Sequence, residues 1–362
     1  VELTPIQKQF FDSNLAEPHH FNQSFMLESM EPLNVELLKE TLFKVVEHHD
    51  MLRSVYPNNE QIILSSENSD KCEIEYVNLT QVENNSELQD TMNTIGDRVQ
   101  ASFDLVKGPL VKAVLFHTIQ KDYCLLCIHH LVVDGVSWRI LVEDINHVYR
   151  QLQEGKNVVL PAKTMSFKEW SDALREYTKD YTLQKEVKYW NKIESLVAKS
   201  RISLEKEECP KGVIHTFAYL DKENTNTLLH KIGKAYNTEI NDVLLVALFR
   251  ALSKITGNSI VSVNLEGHGR EPINKPVSID RTVGWFTSVY PVVVDEIGYD
   301  LEKDIRYVKE ILRKVPNHGL GYGVLKAYTK EIQGIESEVT FNYLGDFAKE
   351  NDKFDIKVSG VE

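Results

Sequence analysis

The chain predicts an α/β fold in two lobes, and three observations carry that reading. Helix-period and strand-period stretches alternate in both halves; a charged segment, Ala198 to Gly212 with Cys209-Pro210-Lys-Gly212, lies between them; and 362 residues with 42% hydrophobic content can fill two cores. The expected division is residues 1–197, a linker at 198–212, and residues 213–362.

The elements follow in order. Leu3-Thr-Pro-Ile-Gln-Lys-Gln-Phe-Phe11 starts a helix with Thr4 as N-cap and Pro5 at the first helical position. From Val35 to Arg53, residues Leu37, Leu38, Leu42, Val45, Val46 and Leu52 recur at helical spacing, which predicts an amphipathic helix. Ser65 to Lys71 and Gln81 to Glu87 are polar and predict loops, whereas Leu110 to His117 and Tyr123 to His130 predict two strands joined by Thr118 to Asp122. Helices are expected at Ser137 to Gln153 and Ser166 to Val197. The second half predicts a strand near Val213 to Leu220, helices at Asn224 to Tyr236 and Asn241 to Ile255, and strands at Ser259 to Leu265, Ser288 to Val294 and Glu338 to Tyr343.

Charge excludes several classes of partner. With 41 basic and 54 acidic residues the formal net charge is -13, which repels nucleic acid and anionic membrane surfaces. The longest clear apolar run, Val243 to Phe249, is far short of a membrane span, and no basic-then-apolar leader opens the chain. Cys72, Cys124, Cys127 and Cys209 are too few and scattered for a disulfide framework, so a cytoplasmic location is expected. Cys124 and Cys127 form C-x-x-C inside an apolar strand, whose period of two sends them to opposite faces as buried thiols.

Three His-His pairs invite a chemical role. His48 and His49 fall near a helix end, where the dipole accounts for them, and His19-His20 precedes Phe21-Asn-Gln-Ser24 without a distinguishing pattern. His129-His130 closes a buried strand and runs into Leu131-Val-Val-Asp134-Gly135, a turn before a helix. A histidine there projects from a fixed base, and its ordinary pKa suits a general base; the alternative is a core histidine with a satisfied ring. Asp134 can bond an arginine and brace the turn, and Gly135 permits a backbone angle other residues resist. Metal binding lacks support, because the sequence has no H-E-x-x-H and no paired C-x-x-C. Gly319-Leu-Gly-Tyr-Gly323 and Gly267-His-Gly269 complete neither a dinucleotide fingerprint nor a phosphate loop.

A second cluster, Glu266-Gly-His-Gly-Arg270-Glu271, follows a predicted strand. Its glycines let the backbone turn so that Glu266 and Arg270 face a cleft, against the alternative of a solvated charged loop. Arg281-Thr-Val-Gly-Trp-Phe-Thr287 and Phe341-Asn-Tyr-Leu-Gly345 mix aromatic and polar groups, as ligand sites do.

His129-His-Leu-Val-Val-Asp-Gly135 resembles the H-H-x-x-x-D-G signature of the condensation-domain superfamily, which includes chloramphenicol acetyltransferase-like acyltransferases. Its company is more specific: Pro5-Ile-Gln7, Val136-Ser-Trp138-Arg-Ile-Leu141, Asp242-Val-Leu-Leu-Val-Ala247, Glu266 to Glu271, Arg281 to Thr287 with Tyr290-Pro291, Pro316 to Gly323, and Phe341-Asn342-Tyr343-Leu-Gly-Asp-Phe347. In this order they resemble epimerization domains of nonribosomal peptide synthetases from end to end. Two departures stand out. Gln9 occupies a position that is usually aromatic, and the chain stops at Glu362 where the family normally continues, so the resemblance implies an incomplete second lobe.

The resemblance implies two chloramphenicol acetyltransferase-like lobes arranged as a V-shaped pseudo-dimer, with a catalytic tunnel entered by a phosphopantetheine arm. It implies His130 and Glu266 as acid-base residues that invert the α-carbon of an aminoacyl or peptidyl thioester. His129, Gly135 and Asp134 support the turn, Arg270 or Arg281 is the partner of Asp134, and Trp138, Asn342 and Tyr343 line the site. No cofactor of its own is expected, since the thioester is the electron sink and the phosphopantetheine belongs to a peptidyl carrier protein. That carrier is expected upstream, with a condensation domain downstream. The rivals are a condensation domain, which joins two carrier-bound groups with the same histidine, and an inactive carrier-docking module.

Overall fold

The computed structural model describes residues 1–67, 72–202, 214–298, 300–343, 345 and 356–358. They form two compact units that are not contiguous in sequence. Val1–Tyr177, His268–Thr287 and the strand Ile356–Val358 make one, and Thr178–Gly267 with Ser288–Tyr343 makes the other. This departs from a single crossing at 198–212, most of which lies outside the described residues: the helix before that segment belongs to the second unit, and 268–287 returns to the first.

The first unit opens with α1 (Pro5–Asp12), where Thr4 and Gln7 form a reciprocal capping box. β1 (Asn22–Ser29) and α2 (Val35–His48) follow, then the short hairpin β2 (Ser54–Val55) and β3 (Ile62–Ile63). β4 (Glu73–Asn78), α3 (Asn85–Gln100), β5 (Val111–His117), β6 (Asp122–His129), α4 (Gly135–Gln153) and α5 (Phe167–Tyr177) complete the run. The sheet order is Ile356–Val358, β1, β6, β5, β4, with only β4 and β5 parallel. Apolar residues fill both faces of β5 and β6. Val114, Leu115 and Phe116 are fully buried, each worth about 1.5–3 kcal/mol. Cys124 and Cys127 are both buried, and desolvation pushes both thiols up to about 12, which keeps them protonated.

The second unit begins with α6 (Tyr181–Val197), separated from α5 by an N-cap at Asp180 that breaks the single helix expected over 166–197. α7 (Lys222–Thr227), one π turn and α8 (Gly233–Tyr236) precede α9 (Ile240–Thr256). β7 (Val261–Gly267) and β8 (Ser288–Val294) are antiparallel, and after α10 (Leu301–Lys314) and α11 (Leu320–Tyr328) the two-residue β9 (Thr340–Phe341) adds parallel to β7. Asp242, first of the Asp242-to-Ala247 run, is buried and takes two N–H bonds from Arg313 at 3.0 and 2.9 Å, so it ties α9 to α10. The glycines at 319–321 mark close packing: a Cβ on Gly319, at φ +80°, would lie 1.9 Å from the Tyr290 ring, and one on Gly321 2.0 Å from the Glu186 carboxylate. Among the described residues no helix is long and apolar enough to cross a membrane.

Candidate functional site

β6 ends at His129, and His130 opens a short 3-10 turn. The His130 backbone N–H donates to the Phe21 carbonyl at 2.9 Å, which ties the turn to the start of β1. Its ring lies against Phe21 at 5.4 Å and 17° and against Trp285 at 4.4 Å and 36°. Nδ1 is 2.8 Å from the Val133 carbonyl, and Nε2 is 2.9 Å from the Gln23 side-chain nitrogen. Burial lowers the His130 pKa, against smaller opposing contributions that include the Val133 hydrogen bond and Asp134. The ring is therefore neutral at pH 7, the state a base needs.

His129 points elsewhere. It is fully buried, its Nε2 donates to the Pro18 carbonyl at 2.9 Å, and its Nδ1 accepts from the Leu131 N–H at 3.2 Å. Both ring nitrogens are satisfied in the neutral state, and burial drives the pKa down to about 4. The unfolded ring binds a proton below about pH 6.5 and the folded one only below about 4. The unfolded state thus holds more protons in that window, and stability falls as pH drops through it, by about 3 kcal/mol in all. Denaturant titrations at pH 7 and 4.5 are expected to show a larger acid loss in the parent than in His129→Gln.

Asp134 caps α4 through the Ser137 N–H at 2.7 Å and is 3% exposed. Its other oxygen accepts from the Phe286 N–H at 3.1 Å, and Arg270 Nη2 approaches the carboxylate at 3.2 and 3.4 Å. Arg270 also donates to the Ile279 and Thr282 carbonyls at 2.7 and 2.8 Å and stacks 3.8 Å above the Phe286 ring. Ser137 completes the join, donating to the Gly284 carbonyl at 2.9 Å and accepting from its N–H at 3.1 Å. These bonds hold segment 268–287, and with it Trp285, against the His130 turn. Asp134→Asn leaves a buried guanidinium without its counter-charge and is expected to cost about 3–5 kcal/mol, read as a lower denaturant midpoint.

Three expectations are corrected by these contacts. Arg281 is not a partner of Asp134; it bonds Glu143 and Asp144 at 2.8 and 2.5 Å, and His49, buried, meets the same Asp144 at 2.8 Å. The helix dipole is thus not what accounts for His49. Gly135 uses no special backbone angle: it is the first residue of α4, and a Cβ there would meet nothing within 4 Å.

In the second unit, Glu266 stands at the end of β7, and Asn342, just past β9, donates to its carboxylate at 2.6 Å. The pairing of Leu265 with Phe341 puts the two residues side by side. Glu266 is exposed as a residue, yet neighbouring atoms desolvate its carboxyl enough to raise its pKa. Tyr343 is also exposed, at 37%. Buried Asn264 exchanges bonds with the Ser337 backbone at 3.1 and 3.0 Å and fixes the approach to β9. Leu344, Asp346 and Phe347 of the last motif lie outside the described residues.

Sequence reasoning missed Phe21 and Gln23. Trp138, read as site-lining, is 1% exposed; it packs on Phe25 at 4.5 Å and donates from its indole to Gln23 Oε1 at 2.7 Å. The available signal was the alternation Phe21, Gln23, Phe25, a polar side chain between two aromatic ones on one strand face.

The Condensation domain model matches residues 1–362. The chain is 40% identical over 367 residues to surfactin synthase subunit 1 of Bacillus subtilis, covering 97% of this chain and 10% of that protein. It is 40% identical over 362 residues to tyrocidine synthase 1 of Brevibacillus parabrevis, covering 96% and 33%. It therefore spans between a tenth and a third of these curated relatives. Among solved structures it is similar to the epimerization domain from the third module of tyrocidine synthetase B, at TM-score 0.82 and 38% identity over 95% of this chain and 79% of that one. The first condensation domain of the CDA synthetase shares the fold at TM-score 0.69 and 20% identity, over 88% and 75%. With a family match along its whole length and relatives this similar, the chain belongs to the condensation domain family.

Proposed function

We propose that this chain is the epimerization domain of a nonribosomal peptide synthetase. It inverts the α-carbon of an aminoacyl or peptidyl group held as a thioester on a carrier protein's phosphopantetheine arm. His130 Nε2 takes the Cα proton, the C–H electron pair moves into the thioester carbonyl as an enolate, and Glu266 returns a proton to the opposite face; in the reverse direction the two exchange roles. The observation that carries the reading is Glu266 with its raised pKa and its bond from Asn342. Two proton-handling groups on opposite faces are the simplest device for inversion, peptide-bond formation has no use for the second, and a carboxyl with a raised pKa is more often protonated near neutral pH. Likeness to the solved epimerization domain supports the same choice. Asn342 and Tyr343 line the site, and preorganised donors stabilise the enolate oxygen. The carrier lies upstream and a condensation domain that takes the D-product downstream.

The test offers the protein an L-aminoacyl carrier together with a second carrier bearing an acceptor amine. After thioester hydrolysis, chiral chromatography reads the products. A D-fraction that grows to a plateau is expected; dipeptide in its place would assign condensation, and unchanged L-substrate a docking role.

A further inference from the structure

The hydrogen-bond chain around His130 has only one consistent set of protons. The Trp138 indole N–H can only donate, so the Gln23 atom 2.7 Å away is the carbonyl Oε1. The other end of that amide is NH2, a donor, and it faces His130 Nε2 at 2.9 Å. Nε2 therefore carries no proton. On the other side of the ring, Nδ1 faces the Val133 carbonyl at 2.8 Å, an acceptor, and so carries the proton. A fixed donor at one end, the indole N–H, and a fixed acceptor at the other, the Val133 carbonyl, set the orientation of everything between them.

This arrangement has two chemical consequences. An sp2 ring nitrogen has one lone pair, and Gln23 occupies it, so the nitrogen that would take a substrate proton is capped. A protonated His130 would set its Nε2–H against the Gln23 NH2; turning the amide to relieve that clash would set the NH2 against the Trp138 N–H. The imidazolium is disfavoured while Gln23 stays in place.

We propose that Gln23, clamped by Trp138, is a positioning residue that locks His130 in the Nδ1–H tautomer and masks its Nε2 lone pair until substrate displaces the amide. The proposal rests on the reading of His130 as the base. The elements around the ring contribute few charges: Gln23 comes from β1 and Phe21 from the residue just before it, Trp138 from α4 and Trp285 from segment 268–287. The titratable or charged groups facing it are His129 on β6 and Asp134, the latter neutralised by Arg270. The lock is thus built from neutral groups, and its removal shows as a shift in proton affinity. His129, with the opposite tautomer, is a control in the same molecule.

The experiment is 15N NMR of the full chain labelled at histidine, titrated from pH 4 to 9. The parent is expected to show His130 with Nδ1 protonated and Nε2 bare. Trp138→Phe keeps the ring but removes the indole donor, which frees the amide to turn; the Nε2–H form and a higher His130 pKa are expected. Gln23→Glu places a carboxylate on Nε2 and is expected to raise the His130 pKa by about 1 unit or more, moving the acid limb of the pH-rate profile by the same amount. Unchanged His129 signals report an intact fold in each variant. A protonated Nε2 in the neutral ring of the parent, or an unmoved His130 pKa in Gln23→Glu, overturns the lock even if His130 proves to be the base. If the spectra match but His130→Ala still exchanges the Cα proton of both enantiomers at the parental rate, the lock stands and the reading of the base falls.

Discussion

His130→Ala is expected to abolish exchange with solvent of the Cα proton of the enantiomer that His130 serves, at a loss on the order of 100 to 10,000-fold. The ring is neutral at pH 7, packed against both Phe21 and Trp285, and tied by Nδ1 to the Val133 carbonyl. Removing it takes away the base and the ring's packing and leaves the turn's backbone bond to Phe21 intact, so the variant is expected to fold with a lower melting temperature. The measurement is mass-spectrometric deuterium wash-in on an aminoacyl carrier in D2O, with a thermal melt of the same preparation. Parent-level exchange of both the L and the D aminoacyl carrier in a folded variant would remove His130 from the mechanism.

Glu266→Gln separates exchange from inversion. Glutamine keeps the volume and still meets Asn342, but it can neither give nor take a proton at the end of β7. With His130 intact, one enantiomer of the substrate still loses its proton, and the proton returns mainly to the face it left. Deuterium enters that enantiomer while the D/L ratio stays nearly fixed, and inversion drops by a factor of the same order as for His130→Ala. Starting separately from L and D substrate identifies which enantiomer His130 serves. Near-parental inversion from both would leave a one-base scheme.

Much of the fold is legible wherever period and punctuation agree. Thr4-Pro5 before an apolar pattern gives α1, and the two apolar runs around Thr118 to Asp122 give β5 and β6 within a residue. α3 is hidden because its buried stripe is sparse: Met92, Gly96 and Val99 are buried in sixteen residues that are otherwise mostly polar. The strand expected at 213–220 follows a plausible alternation, but Val213 lies outside the described residues and 214–220 form no regular structure. Ile214, Phe217 and Tyr219 there are 72–88% exposed, and among the described residues no strand pairs with them. Strand propensity without a partner does not make a strand.

The site is legible where a motif is contiguous and illegible where it is assembled across the sheet. His130, Asp134 and the Glu266–Arg270 run stand out as short patterns with an evident chemistry. That Arg270, not Arg281, meets Asp134 depends on how segment 268–287 returns to the first unit, which no local spacing encodes. Gln23 is less visible still. It becomes part of the site only because β1 pairs with β6 in the register that sets Asn22 opposite His129, bringing the next residue to the His130 ring.

A time course on the parent protein tests the central claim most directly. L-aminoacyl carrier is incubated in D2O, quenched at short intervals, hydrolysed, and the two enantiomers are separated and weighed for deuterium. The account predicts that the D-enantiomer carries one solvent deuterium at Cα from the earliest points and accumulates to a plateau. A D-product that keeps its original proton, or an L-substrate that neither exchanges nor inverts, would contradict it.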